Sequence, residues 1–292
     1  MRFFKEGSAP DPLYETFRDD QFSWHGESAR EFVERAWARC ARYCDRDLAE
    51  QARQHFLARF WELYLAFSLT EHRVDLEENS RTEGPDLRLK HDPVWIEAVT
   101  ASAGIGEDAV RRPVPGSVYS VPDAQIKLRL SSAIAAKAAK FIGYRSAGVV
   151  GQSDMLVIAV NASDVPNART DMPLPRIVRV LFPFGNPVAH LNGESFEVVR
   201  TSYSFEGAIE KRSGSRVDTA MFSDSAYSHV SAVLYSDADP INRPALPGTE
   251  FVLVHNPLAT SPLPKRLLPA GLEYWKDGDV LEVSAKEQNR GS

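Results

Sequence analysis

The order of helical and strand-like patterns between residues 47 and 160 constrains the fold more than any other feature of this sequence. Apolar residues at helical spacing mark two helices, and short apolar runs bounded by turn residues mark strands. In chain order the predicted segments are a helix from about residue 48 to 72, strands at 73–76, 85–90 and 94–100, a helix at 123–144 and a strand at 155–160. This order of one helix, three strands, a second helix and a fourth strand predicts an α/β domain.

The rest of the chain is predicted to surround this core. Residues 1–46 are interpreted as an N-terminal arm and helix, and residues 161–292 as an elaborated C-terminal extension packed on the same domain. No internal repeat, low-complexity tract or clear linker divides the chain. Apolar runs at 176–182, 229–235 and 250–255 predict further strands in the extension.

Composition excludes several classes of protein. Lys+Arg 34 against Asp+Glu 40 gives a net charge of −6, so any nucleic-acid partner has to bind in a local groove and not on a wholly basic surface. The only two cysteines, Cys40 and Cys44, are too few for a metal site and favour a reducing, cytoplasmic compartment. No apolar run approaches ~18 residues, and the charged, proline-containing start does not resemble a signal peptide, so we expect no membrane association.

Four ionisable residues interrupt the apolar patterns of the predicted core. Glu62 is the only charged residue between positions 60 and 69, and Glu97 is the only polar residue of the strand segment VWIEAV. Asp86 follows a Gly-Pro pair at the start of a strand, and Lys137 falls on the apolar stripe of the second helix. A lone charge in such a setting is costly to bury unless it meets an opposite charge or a metal.

Each of these residues also has a simpler interpretation. A lone glutamate on a helix is often a rim residue, a glutamate in an edge strand faces water, and a lysine can extend past the sheet to solvent. Their joint order favours a shared site, because a helix acid, two strand acids and a helix lysine follow one another along the chain. Carboxylates from adjacent strands suit a hard cation such as Mg²⁺, and a neighbouring lysine can hold a phosphate or orient water.

The motifs Glu62, Gly84-Pro85-Asp86 and Trp95-Ile96-Glu97, in this order of elements, resemble the PD-(D/E)XK nuclease superfamily, which includes restriction endonucleases and DNA-repair nucleases. The resemblance covers residues 47 to 160. It implies a restriction-endonuclease-like core that hydrolyses DNA with Mg²⁺ or Mn²⁺, with Asp86 and Glu97 as metal ligands and Glu62 as an accessory acid. Such enzymes often cut as dimers, so a homodimer is open.

The sequence departs from the family pattern at one position. The family has a lysine two residues after the strand acid, where this chain has Val99. Some branches are similar in supplying the lysine from the following helix, and Asn256-Pro257 after an apolar strand resembles uncharacterised bacterial relatives. Lys137 is the first candidate for the displaced lysine, Lys140 the second and Lys127 the third.

Gln125 and Arg129, four residues apart on the same helix, are candidate contacts to a phosphate backbone, with Lys140 as a further substrate-binding residue. A solvated helix face is the simpler interpretation of the first two. Three alternatives to a DNA nuclease also remain open. RNA can replace DNA as the substrate, and a chain without the lysine can be an inactive module that binds nucleic acid or a protein partner, or a purely structural protein.

Overall fold

A computed structural model of the chain describes residues 2–21, 26–80, 83–171, 174–278 and 280–285. The α-helices are α1 (Pro12–Arg18), α2 (Ala29–Cys40), α3 (Leu48–Gln51), α4 (Phe56–Glu71), α5 (Asp123–Ser146) and α6 (Arg176–Leu181). The strands are β1 (Leu87–Arg88), β2 (Val94–Ser102), β3 (Met155–Asp164), β4 (Phe184–Leu191), β5 (Val198–Phe205), β6 (Ala208–Glu210), β7 (Arg216–Asp218), β8 (Ala232–Ser236), β9 (Val252–His255), β10 (Leu272–Asp277) and β11 (Val280–Ala285).

The protein is an α/β structure built on one mixed sheet. Seven strands of the described chain pair in the order β1-β2-β3-β8-β9-β10-β11. Strands β2, β3 and β8 run parallel, whereas β1 is antiparallel to β2 and β9 to β8. The segment after residue 160 therefore supplies four strands to the sheet that β1–β3 begin. The pairs β4-β5 and β6-β7 form two separate antiparallel hairpins.

Each face of the sheet is covered by its own apolar layer. Side chains alternate along a strand, so Val94, Ile96 and Ala98 of β2 pack with α2, α4 and the N-terminal residues, whereas Trp95 packs with α5 and α6. The predicted N-terminal arm contributes Phe3 to the first layer, fully buried. Among the described residues, no helix is both long and apolar enough to cross a membrane.

Most predicted core segments form as expected. The helix predicted at 123–144 is α5, which runs two residues further, and the strands predicted at 94–100 and 155–160 are β2 and β3. The strand predicted at 73–76 is reduced to a single bridge between Leu76 and Leu89. The first predicted helix of the core is divided into α3 and α4.

The strand predicted at residues 176–182 is wrong, because most of that segment is helix α6. All six residues of α6 are buried, so the segment shows no contrast between an apolar and a polar face. A short run of this kind does not distinguish a strand from a buried helix by its periodicity. Arg176 and Arg179, three residues apart, reach the same carboxylate, Asp123, which a helix permits and alternating strand positions do not.

Candidate functional site

The short strand β1 places Asp86 opposite Glu97. The antiparallel register pairs Leu87 with Ile96, and continuing it by one residue pairs Asp86 with Glu97 on the α5 face of the sheet. Gly84 enters this strand with φ +135°, a conformation that favours glycine. Asp86 Oδ2 accepts a 2.6 Å hydrogen bond from the backbone N–H of Ala98, which fixes the carboxylate against β2.

Glu97 is the most deeply buried acid of this group, with no exposed surface. Its Oε1 accepts hydrogen bonds from Lys137 Nζ at 2.6 Å and from Lys140 Nζ at 2.8 Å. Its Oε2 is also buried but has no hydrogen-bond partner among the described residues. Within the described part of the chain, one carboxylate oxygen therefore accepts hydrogen bonds from two ammonium groups while the other accepts none.

Both lysines come from α5, the helix that connects the parallel strands β2 and β3. They lie three residues apart, and so on neighbouring positions of one helix face. The Lys137 side chain is 22% exposed and that of Lys140 is 49% exposed. Burial opposes the charge on Lys140, but hydrogen bonds to Glu97 and Tyr144 outweigh it and raise the Lys140 pKa above its ordinary value. Lys140 therefore carries a positive charge at neutral pH.

Asp86, Lys137 and Lys140 border a cavity of about 360 Å³, which we call the acidic cavity. Its lining residues are Asp45, Gln51, Arg59, Glu62, Glu83, Gly84, Asp86, Lys137, Lys140 and Tyr144. Helix α4 packs on the opposite face of the sheet from α5, yet Glu62 reaches this cavity. Glu62 Oε1 accepts a hydrogen bond from Arg59 Nη1 at 2.5 Å.

Two acids of the cavity have strongly perturbed protonation. Removal from water, followed by the nearby Glu97 charge, raises the pKa of Asp86 to about 6, against the opposing effect of Lys137. Burial and then the Asp86 charge raise the pKa of Glu62 to about 8, against Arg59. The crowding of acids thus makes the cavity a place where a bound cation is favourable.

The candidate substrate-binding residues on α5 divide into two groups. Lys140 lines the acidic cavity, but Gln125 and Arg129 do not. Arg129 is eight residues from Lys137, about 12 Å along the helix axis. Its guanidinium packs on Gly104, where an added Cβ would lie 2.1 Å from Arg129 Nη1. Lys127, the third candidate for the displaced lysine, is buried elsewhere and paired with Asp123 and Glu206.

Sequence reasoning assigned no role to five residues of the cavity lining, Asp45, Gln51, Glu83, Arg59 and Tyr144. Two of them, Arg59 and Tyr144, lie on the same helices as predicted site residues. Each had a local signal, because Arg59 lies three residues before Glu62 and Tyr144 lies four residues after Lys140. These are the spacings at which helix side chains meet. Both were overlooked because an arginine and a tyrosine on a helix are common on any surface.

The donor atoms present fit a hard divalent cation held by few protein ligands. The described residues contain no group of three or more His, Cys, Asp or Glu side chains placed to hold a metal. However, Mg²⁺ is commonly bound by only one or two carboxylates together with water and substrate phosphates. The buried Glu97 Oε2, which has no donor among the residues that the structure describes, and the adjacent Asp86 carboxylate supply such a pair.

Comparisons of the chain with protein-family models, with curated proteins and with solved structures gave no match.

Proposed function

We propose that this protein is a metal-dependent nuclease that hydrolyses DNA phosphodiester bonds in the acidic cavity. The observation that carries the proposal is the 2.6 Å hydrogen bond from Lys137 Nζ to Glu97 Oε1, beside Asp86. A lysine on the helix after the strand takes the place of the lysine that a PD-(D/E)XK motif has at position 99. Lys137, the first candidate from sequence, therefore supports this interpretation.

The order of elements gives further support to a restriction-endonuclease-like core. Helix α4 precedes the antiparallel pair β1-β2, and α5 then connects β2 to its parallel neighbour β3. The first strand of the expected meander is present only as the bridge of Leu76 to Leu89. Glu62 lies on α4, Asp86 directly precedes β1 and Glu97 lies on β2, in the order that the resemblance implies.

Charge in the cavity explains why a metal is part of the proposal. Asp45, Glu62, Glu83 and Asp86 line the cavity, with Glu97 behind them, against three cations from Arg59, Lys137 and Lys140. A phosphodiester carries a negative charge and is repelled by an excess of carboxylates. Asp86 and Glu97 would hold Mg²⁺ or Mn²⁺, which supplies charge neutralisation and a more acidic bound water.

The protein's own side chains then have distinct tasks. Lys137 fixes the Glu97 carboxylate and places a positive charge next to the position of the scissile phosphate. Lys140 is more exposed, so its ammonium is available to a phosphate oxygen from solvent. Glu62, held by Arg59, is the accessory acid on the opposite wall. The reaction is the attack of water on phosphorus with cleavage of one P–O bond, and no covalent enzyme intermediate is needed.

An inactive binding module is the second candidate, and one observation favours it. Glu97 is entirely buried and already neutralised by two lysines, as a structural ion pair is. In that case the cavity holds no metal, and the protein binds nucleic acid or a protein partner without cutting.

Plasmid cleavage tests the two candidates directly. The full chain is incubated with supercoiled DNA and Mg²⁺ or Mn²⁺, and the wild type is compared with Asp86→Asn and Lys137→Ala. Lys90→Ala, at an exposed turn, is the matched control and retains activity. Cleavage that depends on metal, Asp86 and Lys137 supports the nuclease, and a parallel assay with RNA of the same sequence identifies the preferred polymer. Activity unchanged in Asp86→Asn rejects the site.

A further inference from the structure

One cation of the acidic cavity, Arg59, has no substrate contact in the proposed function. It lines the cavity from α4, and its side chain is 24% exposed. Arg59 Nη1 donates a hydrogen bond to Glu62 Oε1, whereas Nη2 has no hydrogen-bond partner among the described residues. The Nε atom of the same guanidinium is enclosed, but Nη2 is not. Because a guanidinium has five N–H donors, Arg59 keeps accessible donors for a ligand in the cavity.

The ion-pair partner of Arg59 is a poor counter-ion at neutral pH. Burial, and then the Asp86 charge, raise the pKa of Glu62 to about 8, although Arg59 opposes the increase. Glu62 therefore holds its proton at neutral pH and does not neutralise the guanidinium. Asp45 and Glu83 also line the cavity, so Arg59 attracts an anion by direct contact and not through the potential of the cavity as a whole.

Arg59 is separate from the two lysines of the cavity. Burial raises the pKa of Asp86, and Lys137 and Lys140 of α5 oppose that increase. Arg59 comes from α4, in the layer on the opposite face of the sheet, and pairs with Glu62. The cavity therefore receives cations from two opposite layers, each beside its own acid. Successive phosphates follow at about 3.4 Å along the axis of a duplex strand, so a strand bound at the lysines brings further phosphates close to the opposite wall.

We propose that Arg59 binds a second backbone phosphate of a nucleic-acid strand, next to the scissile phosphate at Lys137 and Lys140. The inference rests on the proposed function for the identity of the ligand, but not on cleavage. A planar guanidinium suits this task, because it can donate two parallel hydrogen bonds to phosphate oxygens. A phosphate contact positions a strand without reading its bases. The preferred substrate is therefore a strand with at least two consecutive phosphodiester bonds, of any sequence.

The salt dependence of DNA binding tests this assignment, because each neutralised phosphate adds a fixed amount to its slope. The full chain is titrated into fluorescein-labelled oligodeoxythymidine with Ca²⁺, and fluorescence anisotropy is measured at several KCl concentrations. Gels of the same samples verify that the DNA stays intact. Arg59→Gln keeps an N–H donor for Glu62 but carries no charge. We expect it to weaken binding about tenfold and to reduce the slope of log K against log salt by about 0.7. Arg59→Lys keeps the charge and should keep the slope.

Arg53→Gln is the matched control. Arg53 also pairs with a glutamate three residues away, Glu50, and its side chain is 25% exposed, but it does not line the acidic cavity. This variant should leave the slope unchanged. The double variant Arg59→Gln/Lys140→Met tests whether two phosphates are involved. Its slope should fall by about 1.4 if the two residues hold different phosphates, and by about 0.7 if they share one.

An unchanged slope in Arg59→Gln overturns the proposal, as does wild-type protein that does not bind the oligonucleotide. A lower kcat with an unchanged slope would assign Arg59 to the positioning of Glu62 and also overturns it. A double variant that loses no more slope than Lys140→Met alone shows a shared phosphate and has the same consequence. Failure of the nuclease proposal is distinguishable, because it shows as wild-type protein that binds the oligonucleotide but does not cut DNA with Mg²⁺ or Mn²⁺.

Discussion

Helix α5 carries one charged cluster near each end, and the two clusters differ in how well their charges are matched. The cluster at its start, which we call the balanced network, consists of Asp123, Lys127, Asp171, Arg176, Arg179 and Glu206. Three cations there meet three carboxylates, and each cation is only 2–3% exposed. Burial alone would raise the pKa of Asp123, but Lys127 and Arg176 outweigh it and lower that pKa.

The cluster at Glu97 shows the opposite pattern. Two ammonium groups share one oxygen of Glu97 while its second oxygen has no donor among the described residues. The neighbouring acids Asp86 and Glu62 have raised pKa values, about 6 and about 8. Buried charges that satisfy one another are typical of a structural role, whereas carboxylates that resist ionisation are typical of a site that takes a ligand. The comparison therefore distinguishes, along one helix, a structural ion-pair network from the cluster that we propose as the functional site.

Breaking the balanced network should produce the largest effect on stability. Arg176→Met removes the buried cation that Asp123 and Asp171 share, and we expect a loss of about 3–5 kcal/mol in the free energy of unfolding. The Lys140 side chain is half-exposed and Glu97 keeps Lys137, so Lys140→Met should cost less than about 1 kcal/mol. Urea unfolding of both variants measures the difference, and equal losses would contradict the distinction between the two clusters.

Removing Lys137 should reduce cleavage strongly and stability only slightly. Lys137→Met removes a positive charge beside the proposed scissile phosphate, so we expect cleavage to fall by about 10²–10³-fold. Thermal stability should change little, because Lys140 still neutralises Glu97. Single-turnover cleavage and the melting temperature are measured on the same preparation. A variant that loses stability but cuts normally would assign Lys137 to structure.

The pH dependence of the free energy of unfolding should reveal the raised pKa of Glu62. The pKa of Glu62 is about 8 in the folded protein against an ordinary value of 4.5, so the folded state holds this proton more tightly than the unfolded chain. The resulting stabilisation is complete below pH 4.5 and is lost as the pH rises through 8. Glu62→Gln should therefore gain at least about 1 kcal/mol relative to wild type between pH 5 and pH 9.

Melting curves at several pH values test this expectation. Glu27→Gln is the control, because Arg35 lowers the pKa of Glu27 and its contribution therefore changes in the opposite sense, at acid pH. A stability difference between Glu62→Gln and wild type that does not vary with pH would show that Glu62 is ionised throughout.

Metal binding should give a small shift in stability. At a free Mg²⁺ concentration about ten times the dissociation constant, binding to the folded state adds about 1.4 kcal/mol to its stability. Asp86→Asn should abolish the increase, and acidification below about pH 6 should weaken it, because the Asp86 proton competes with the metal. Scanning calorimetry with and without Mg²⁺ measures the shift. An increase that persists in Asp86→Asn would place the ion elsewhere.

The convergence of Glu97 and Lys137 was accessible from sequence because both residues break a strong periodicity. A glutamate within VWIEAV and a lysine on an apolar helix stripe each need an opposite charge nearby, because burying an unpaired charge is costly. Each of the two residues supplies that charge to the other. Strands β2 and β3 and helix α5 were predictable for the same reason, since their apolar residues are buried and regularly spaced.

Other features lacked such a signal. Strand β5 is exposed along most of its length, so its sequence carries little alternation between buried and exposed positions. Helix α6 is buried all round and was therefore mistaken for a strand. Gln125 and Arg129 were grouped with Lys140 because they share a helix. However, α5 is 24 residues long, and its two ends contact different regions of the protein.

The continuity of α5 has a mechanical consequence. Between Asp123 and Phe141 the helix contains neither proline nor glycine, the residues at which helices most often bend. It therefore behaves as a stiff rod, anchored by ion pairs at one end and carrying two ammonium groups about 15–20 Å further along. Disrupting the ion pairs at the start of α5 should therefore displace the two ammonium groups relative to β2. A substitution far from Glu97 would then change the distances between its carboxylate and the two lysines.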